Sequence, residues 1–157
     1  MAAPRGRGLD DHIPYLLNRT GGRYALEFAQ ALRPAGVRFT NWRVLHTLWH
    51  RGPLLLSEIA ASANFDVSTL SRVIGGLEDG GLVKRLRATG PGQRRRVGLS
   101  RAGEKLIESL APTDRLFEER LLSGLSATER ALLITLLDKM YANLLRFDRD
   151  ENDEDAS

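Results

Sequence analysis

Apolar residues recur at helical spacing along most of the chain. Ile13, Leu16, Leu17, Tyr24, Phe28, Ala31 and Leu32 form the first such stripe. Asp10 or Asp11 can cap this helix, Pro14 is tolerated in its first turn, and Pro34 and Gly36 stop it. Val44, Leu45, Leu48 and Trp49 mark a second helix behind Thr40, a good N-cap, and Gly52 with Pro53 ends it. Ser57 caps a short third helix with Ile59 and Ala60 turned inward. Asn64 tolerates the left-handed backbone of a tight turn, and Phe65 reads as a core plug. Asp66 caps a fourth helix with Leu70, Val73, Ile74 and Leu77 on one face, closed by Gly80 and Gly81. The period then shortens. Residues 82–87 and 94–99 read as two strands around the Gly/Pro loop 88–93. Ser100 opens a fifth helix that Pro112 should kink or interrupt and that Gly124 ends. Ser126 and Glu129 have capping-box spacing before a last helix carrying Leu132, Leu133, Leu136, Leu137, Met140, Leu144 and Phe147.

A short helix, a tight turn and a second helix with polar residues outward is the helix-turn-helix plan, and a hairpin directly after it is a wing. The expected fold is therefore mainly α with a small β-hairpin wing, a winged helix-turn-helix with further helices at both ends. The divisions are a flexible arm over 1–9, an N-terminal helix region over 10–36 and the winged module over 37–100. Two C-terminal helices over 101–147 and an acidic tail without a fold over 148–157 complete the chain.

Charge sharpens this picture. The chain carries +3, but the last ten residues hold six acids and one Arg, so residues 1–147 carry +8. Seven bases and no acid fall between Lys84 and Arg101, a footprint for a polyanion when it follows a helix-turn-helix. Ser68, Thr69, Ser71 and Arg72 face outward on the fourth helix. Arg can read guanine bidentately in a major groove, while Ser and Thr contact bases or phosphates. Gly75 continues that face, either allowing close approach or simply tolerated. Lys84, Arg85 and Arg87 can reach phosphates, and Arg94, Arg95 and Arg96 follow the hairpin tip, where an Arg can enter a narrow minor groove. Double-stranded DNA is the expected partner. An ordinary solvated surface or a charge run that blocks edge pairing is the plainer alternative.

The segment Leu56–Ser100, the Leu99-Ser100-x-x-Gly103 motif and Leu125-Ser126-Ala127-Thr128-Glu129 together resemble the MarR (multiple antibiotic resistance regulator) family over roughly Asp11–Phe147. The resemblance implies a homodimer built from the first, fifth and sixth helices, set on a pseudo-palindromic site, and a regulator that is usually a repressor. The wide apolar stripes of the terminal helices agree with pairing. The family wing has an Asp two residues before its key Arg; here Pro91 and Gln93 stand at those places, so Arg94 is the expected groove residue, with Arg95 and Arg96 compensating by charge. The resemblance also implies a small aromatic carboxylate effector, for which Tyr15, Arg19, Arg23, Trp42 and His46 are the candidate residues. Salt bridges and plain packing are the alternative roles of these five.

Other chemistries find little support. The chain has no Cys, which excludes disulfides, Cys-based zinc sites and thiol redox sensing. His46 and His50 could form half a metal site, but His12 is remote in sequence, so no metal and no cofactor is expected. No nucleophile elbow, P-loop or dinucleotide fingerprint points to an enzyme. The basic start lacks an apolar signal region, and a cytoplasmic protein is the expectation. The competing function is a winged module that binds protein, which should show an apolar or acidic recognition face.

Overall fold

The computed structural model describes residues 8–86 and 95–154. The arm expected over 1–9 lies outside the described residues up to residue 7, and Leu9 already belongs to a 3-10 turn, Leu9–Asp11. The helix α1 (Ile13–Leu32) then starts on His12, whose Nδ1 accepts from the Tyr15 N–H at 3.3 Å. Asp10 and Asp11 sit in the preceding turn and do not cap it. A 3-10 turn, Arg33–Ala35, and Gly36 at φ 68° reverse the chain.

Next come α2 (Phe39–Arg51) and α3 (Leu56–Ala63), and both begin earlier than expected. Arg38, not Thr40, stands at the N-cap of α2. Leu55, not Ser57, stands at that of α3. A Leu side chain cannot cap; instead the Glu58 carboxylate reaches back to the Leu55 N–H at 2.7 Å, which is half of a capping box. Asn64 makes the left-handed turn at φ 49°, and α4 (Val67–Asp79) follows on an Asp66 cap. Gly81, at φ 66°, turns the chain into the wing.

The strands β1 (Val83–Leu86) and β2 (Arg96–Leu99) pair antiparallel with Val83 opposite Leu99 and Leu86 opposite Arg96. Leu54 adds a bridge to Val97, so the segment between α2 and α3 docks on the wing. The loop 88–93, Arg87 and Arg94 lie outside the described residues.

The helix α5 (Arg101–Leu121) passes through Pro112 without interruption. Proline removes one backbone hydrogen bond. Here its ring is exposed while Ile107 and Leu110 are buried on the same helix, and that burial keeps the helix whole. The last helix, α6 (Ala127–Glu154), continues past Phe147, so residues 148–154 are helical where a tail without a fold was expected. The Ser126–Glu129 capping box is present: the Ser126 N–H donates to Glu129 at 2.8 Å, and the Glu129 N–H to Ser126 at 3.3 Å.

The chain divides into two compact units, residues 1–117 and 118–157. The first has its core on Phe28, whose ring meets Trp42 at 4.6 Å, Phe117 at 5.1 Å and Phe39 at 6.2 Å. Leu45, Ile59, Leu70, Ile74 and Leu77 extend this core under the helix-turn-helix. In the second unit Arg130 ties the turn before α6 to the helix by donating to the carbonyls of Leu125 and Leu122. The α6 stripe of Leu132, Leu133, Leu136, Leu137 and Leu144 is exposed in the single chain. No helix among the described residues is long and apolar enough to cross a membrane.

Candidate nucleic-acid interface

The outward face of α4 follows from its inward one. Leu70, Val73, Ile74 and Leu77 are buried, so Ser68, Ser71 and Arg72 are left exposed and Thr69 half-buried. Asp66 fixes where the helix starts. Its Oδ1 accepts from the Ser68 hydroxyl at 2.6 Å and from the Thr69 N–H at 2.8 Å. The Ser68 hydrogen bond, then those of Thr69, hold the Asp66 carboxyl well below the usual carboxylate range. The Ser68 proton is thereby engaged in the cap, which leaves this exposed hydroxyl as an acceptor.

The turn ahead of α4 is braced from α2. The Arg43 guanidinium lies 4.3 Å over the Phe65 ring and donates to the Asn64 carbonyl at 3.4 Å. Partial burial lowers its pKa. Phe65 is half-buried against the core rather than a fully buried plug.

Two residues with no sequence signal join the face. Arg38 and Thr40, at the start of α2, border an open cleft of about 460 Å³ with Thr69 and Arg72 of α4. Arg38 and Arg72 lie more than thirty positions apart, and only the crossing of α2 and α4 joins them.

The wing splits into two kinds of cation. Arg85 Nε donates to both Glu78 oxygens, at 2.9 and 3.0 Å, and that carboxylate's hydrogen bonds and charge raise the Arg85 pKa. Arg96 donates to the Pro53 carbonyl at 3.0 Å and to Glu58 at 3.4 Å. Arg38, Arg72, Lys84 and Arg95 have no ion-pair partner among the described residues. Lys84 borders a second cleft beside Trp49, Pro53 and Glu104. Arg94 lies outside the described residues.

Each of the effector candidates already has a partner in the fold. Arg19 pairs with Asp10 at 3.7 Å and lies 5.4 Å from the Tyr15 ring centre, and Arg23 pairs with Glu27 at 2.5 Å. Trp42 is buried in the aromatic core, its ring centre 4.6 Å from that of His46 with the two planes tilted by 30°. His46 in turn lies 3.5 Å from Asp114 and 3.1 Å from the His50 ring nitrogen.

A capped, outward-polar helix beside unpaired cations and a hairpin defines a winged helix-turn-helix that binds DNA. Comparison with known proteins gives the same answer. Residues 39–95 match the model of the MarR family. The chain is 26% identical to the HTH-type transcriptional repressor IacR of Pseudomonas putida, over 91% of this chain and 93% of that protein. It is 31% identical to the HTH-type transcriptional regulator YwoH of Bacillus subtilis, over 71% of this chain and 81% of the relative. A MarR-family regulator of Silicibacter pomeroyi superposes with a TM-score of 0.80 at 31% identity, covering 90% of this chain and 96% of that one. The chain belongs to the MarR family. It is a DNA-binding transcription regulator and not an enzyme.

Proposed function

We propose that the protein is a homodimeric repressor that sets two copies of α4 into successive major grooves of a pseudo-palindromic operator. The observation that carries this reading is the exposed face of α4, with Arg72 free of ion pairs among the described residues and bordering one cleft with Arg38 and Thr40. Ser68, Thr69, Ser71 and Arg72 read or position on the groove, Arg38 and Lys84 hold phosphates, and Arg94 with Arg95 serves the minor groove. The exposed leucines of α6 and the exposed Ile13, Leu17 and Leu26 of α1 supply apolar surface for pairing. A two-fold dimer then spaces the recognition helices about 34 Å apart. Repression is the sense in the name of the relative IacR. Release by a small aromatic acid extends the reading. Arg19 and Arg23, exposed on α1, would exchange their Asp10 and Glu27 partners for its carboxylate beside the half-buried Tyr15, and His46 offers a partly open edge of the aromatic core.

Fluorescence anisotropy against the DNA upstream of its own gene and against a scrambled duplex tests the proposal. The expected result is preference for the native sequence with a log–log salt slope of about −5 or steeper, since each phosphate contact contributes roughly 0.9. Benzoates or cinnamates should then weaken the complex. Equal, weak binding to both duplexes would overturn the operator reading, and no response across a broad panel of acids would overturn the effector.

A further inference from the structure

The Arg96 side chain does not point free of the fold. Its Nη1 donates to the Pro53 carbonyl at 3.0 Å and to Glu58 Oε2 at 3.4 Å. That same oxygen accepts the Leu55 N–H that starts α3, at 2.7 Å. Around this contact Leu54 and Val97 exchange two backbone hydrogen bonds, at 3.0 and 2.8 Å. A methyl group on Gly98 would stand 3.3 Å from the Pro53 ring, so Pro53 rests directly on β2. Arg96 is also the last paired position before the wing tip, opposite Leu86. One carboxylate oxygen thus joins the start of the helix-turn-helix to the outer end of the paired strands, where Arg95 follows directly.

We propose that Arg96 and Glu58 form a clamp that sets the angle of the wing, and that Arg96 is a positioning residue rather than a phosphate contact. This rests on the wing's groove role proposed above. Both side chains are close to half exposed, at 48% and 42%, so the pair contributes little to global stability. Its effect falls on where Arg95 and the outer ends of the two strands lie. Charge alone predicts the opposite sign for one partner: removing an acid beside a polyanion raises affinity.

The test compares the full-length protein with Glu58→Gln, Arg96→Gln and the double variant, which keeps the wild-type net charge. In Glu58→Gln the side-chain amide oxygen can still accept from the Leu55 N–H, so the helix cap survives. The expected result is an affinity loss of about 3- to 10-fold for each single variant, no greater loss in the double, and an unchanged salt slope. Hydroxyl-radical protection of the outer minor grooves should weaken, and the melting temperature should stay within about 2 °C. Tighter binding by Glu58→Gln, additive losses, or a slope reduced by about 1.8 in Arg96→Gln would overturn the clamp, the last because two protomers would each have lost a phosphate contact. If the wild type itself gives no outer minor-groove protection, the groove role of the wing fails first. If that protection is present and unmoved by both variants, only the clamp fails.

Discussion

Arg72→Ala should reduce affinity for the native operator at least about 30-fold and flatten the preference over scrambled DNA. The magnitude follows from position. A bidentate Arg–guanine pair is worth about 1–3 kcal/mol of discrimination, a two-fold dimer places two, and 1.4 kcal/mol is a tenfold change. Arg72 suits this role because it is exposed on the middle of α4, between the half-buried Thr69 and the buried Val73, with no ion-pair partner among the described residues. Nothing in the fold leans on it, so the melting temperature should not move. Anisotropy titrations on native and scrambled duplexes, at matched salt, measure both quantities. A variant that loses affinity equally on both duplexes would make Arg72 a phosphate contact; one that loses none would move the reading face away from this part of α4.

The contrast between Arg72 and the wing arginines shows which parts of the site sequence reasoning could reach. The four buried positions of α4 have a clean helical period, so its outward residues followed directly, and the structure places Ser68, Ser71 and Arg72 as expected. The turn was equally local: Asn64, Asp66 and Gly81 each have a side-chain or backbone property that names their place. Arg85 and Arg96 lie in a run that reads as uniform charge, because alternation along a strand shows faces and not partners. Their carboxylates, Glu78 and Glu58, come from other elements, and Glu58 is 38 positions away. The same non-locality moved the start of α3. Leu54 is held extended by its bridge to Val97, so the helix can begin beside it and Glu58 supplies the cap that Ser57 was expected to give. Trp42 was a candidate wall for a ligand, but Phe28 and Phe39, on α1 and α2, enclose it in the core.

Gly103→Ala should lower stability by about 3 kcal/mol or more, a melting-temperature loss of roughly 6–12 °C for a chain of this size. A Cβ built on Gly103 would overlap the Leu82 carbonyl oxygen and stand 3.3 Å from the Leu99 side chain. The first is a backbone atom and cannot rotate away. It is also held in place, since Leu82 O accepts from the Ser100 N–H at 3.0 Å. The Ser100 hydroxyl donates to the Gly81 carbonyl at 2.6 Å and accepts the Gly103 N–H at 3.1 Å. This is the physical content of the Leu99-Ser100-x-x-Gly103 motif: Ser100 starts α5 and ties it to the turn after α4, and only a residue without Cβ lets the two backbones meet so closely. A control comes from α4 itself. Gly76 is exposed with nothing within 4 Å of an added Cβ, so Gly76→Ala should stabilise the protein by about 0.5–1 kcal/mol through helix propensity. Thermal melts of both variants at one protein concentration separate a general intolerance of side chains from this one close approach. Because the Ser100–Gly103 contact anchors α5 at the base of the wing, Gly103→Ala should also weaken operator binding at temperatures where the chain is still folded. A Gly103→Ala protein that melts with the wild type would mean that α5 does not pack on Leu82 in solution.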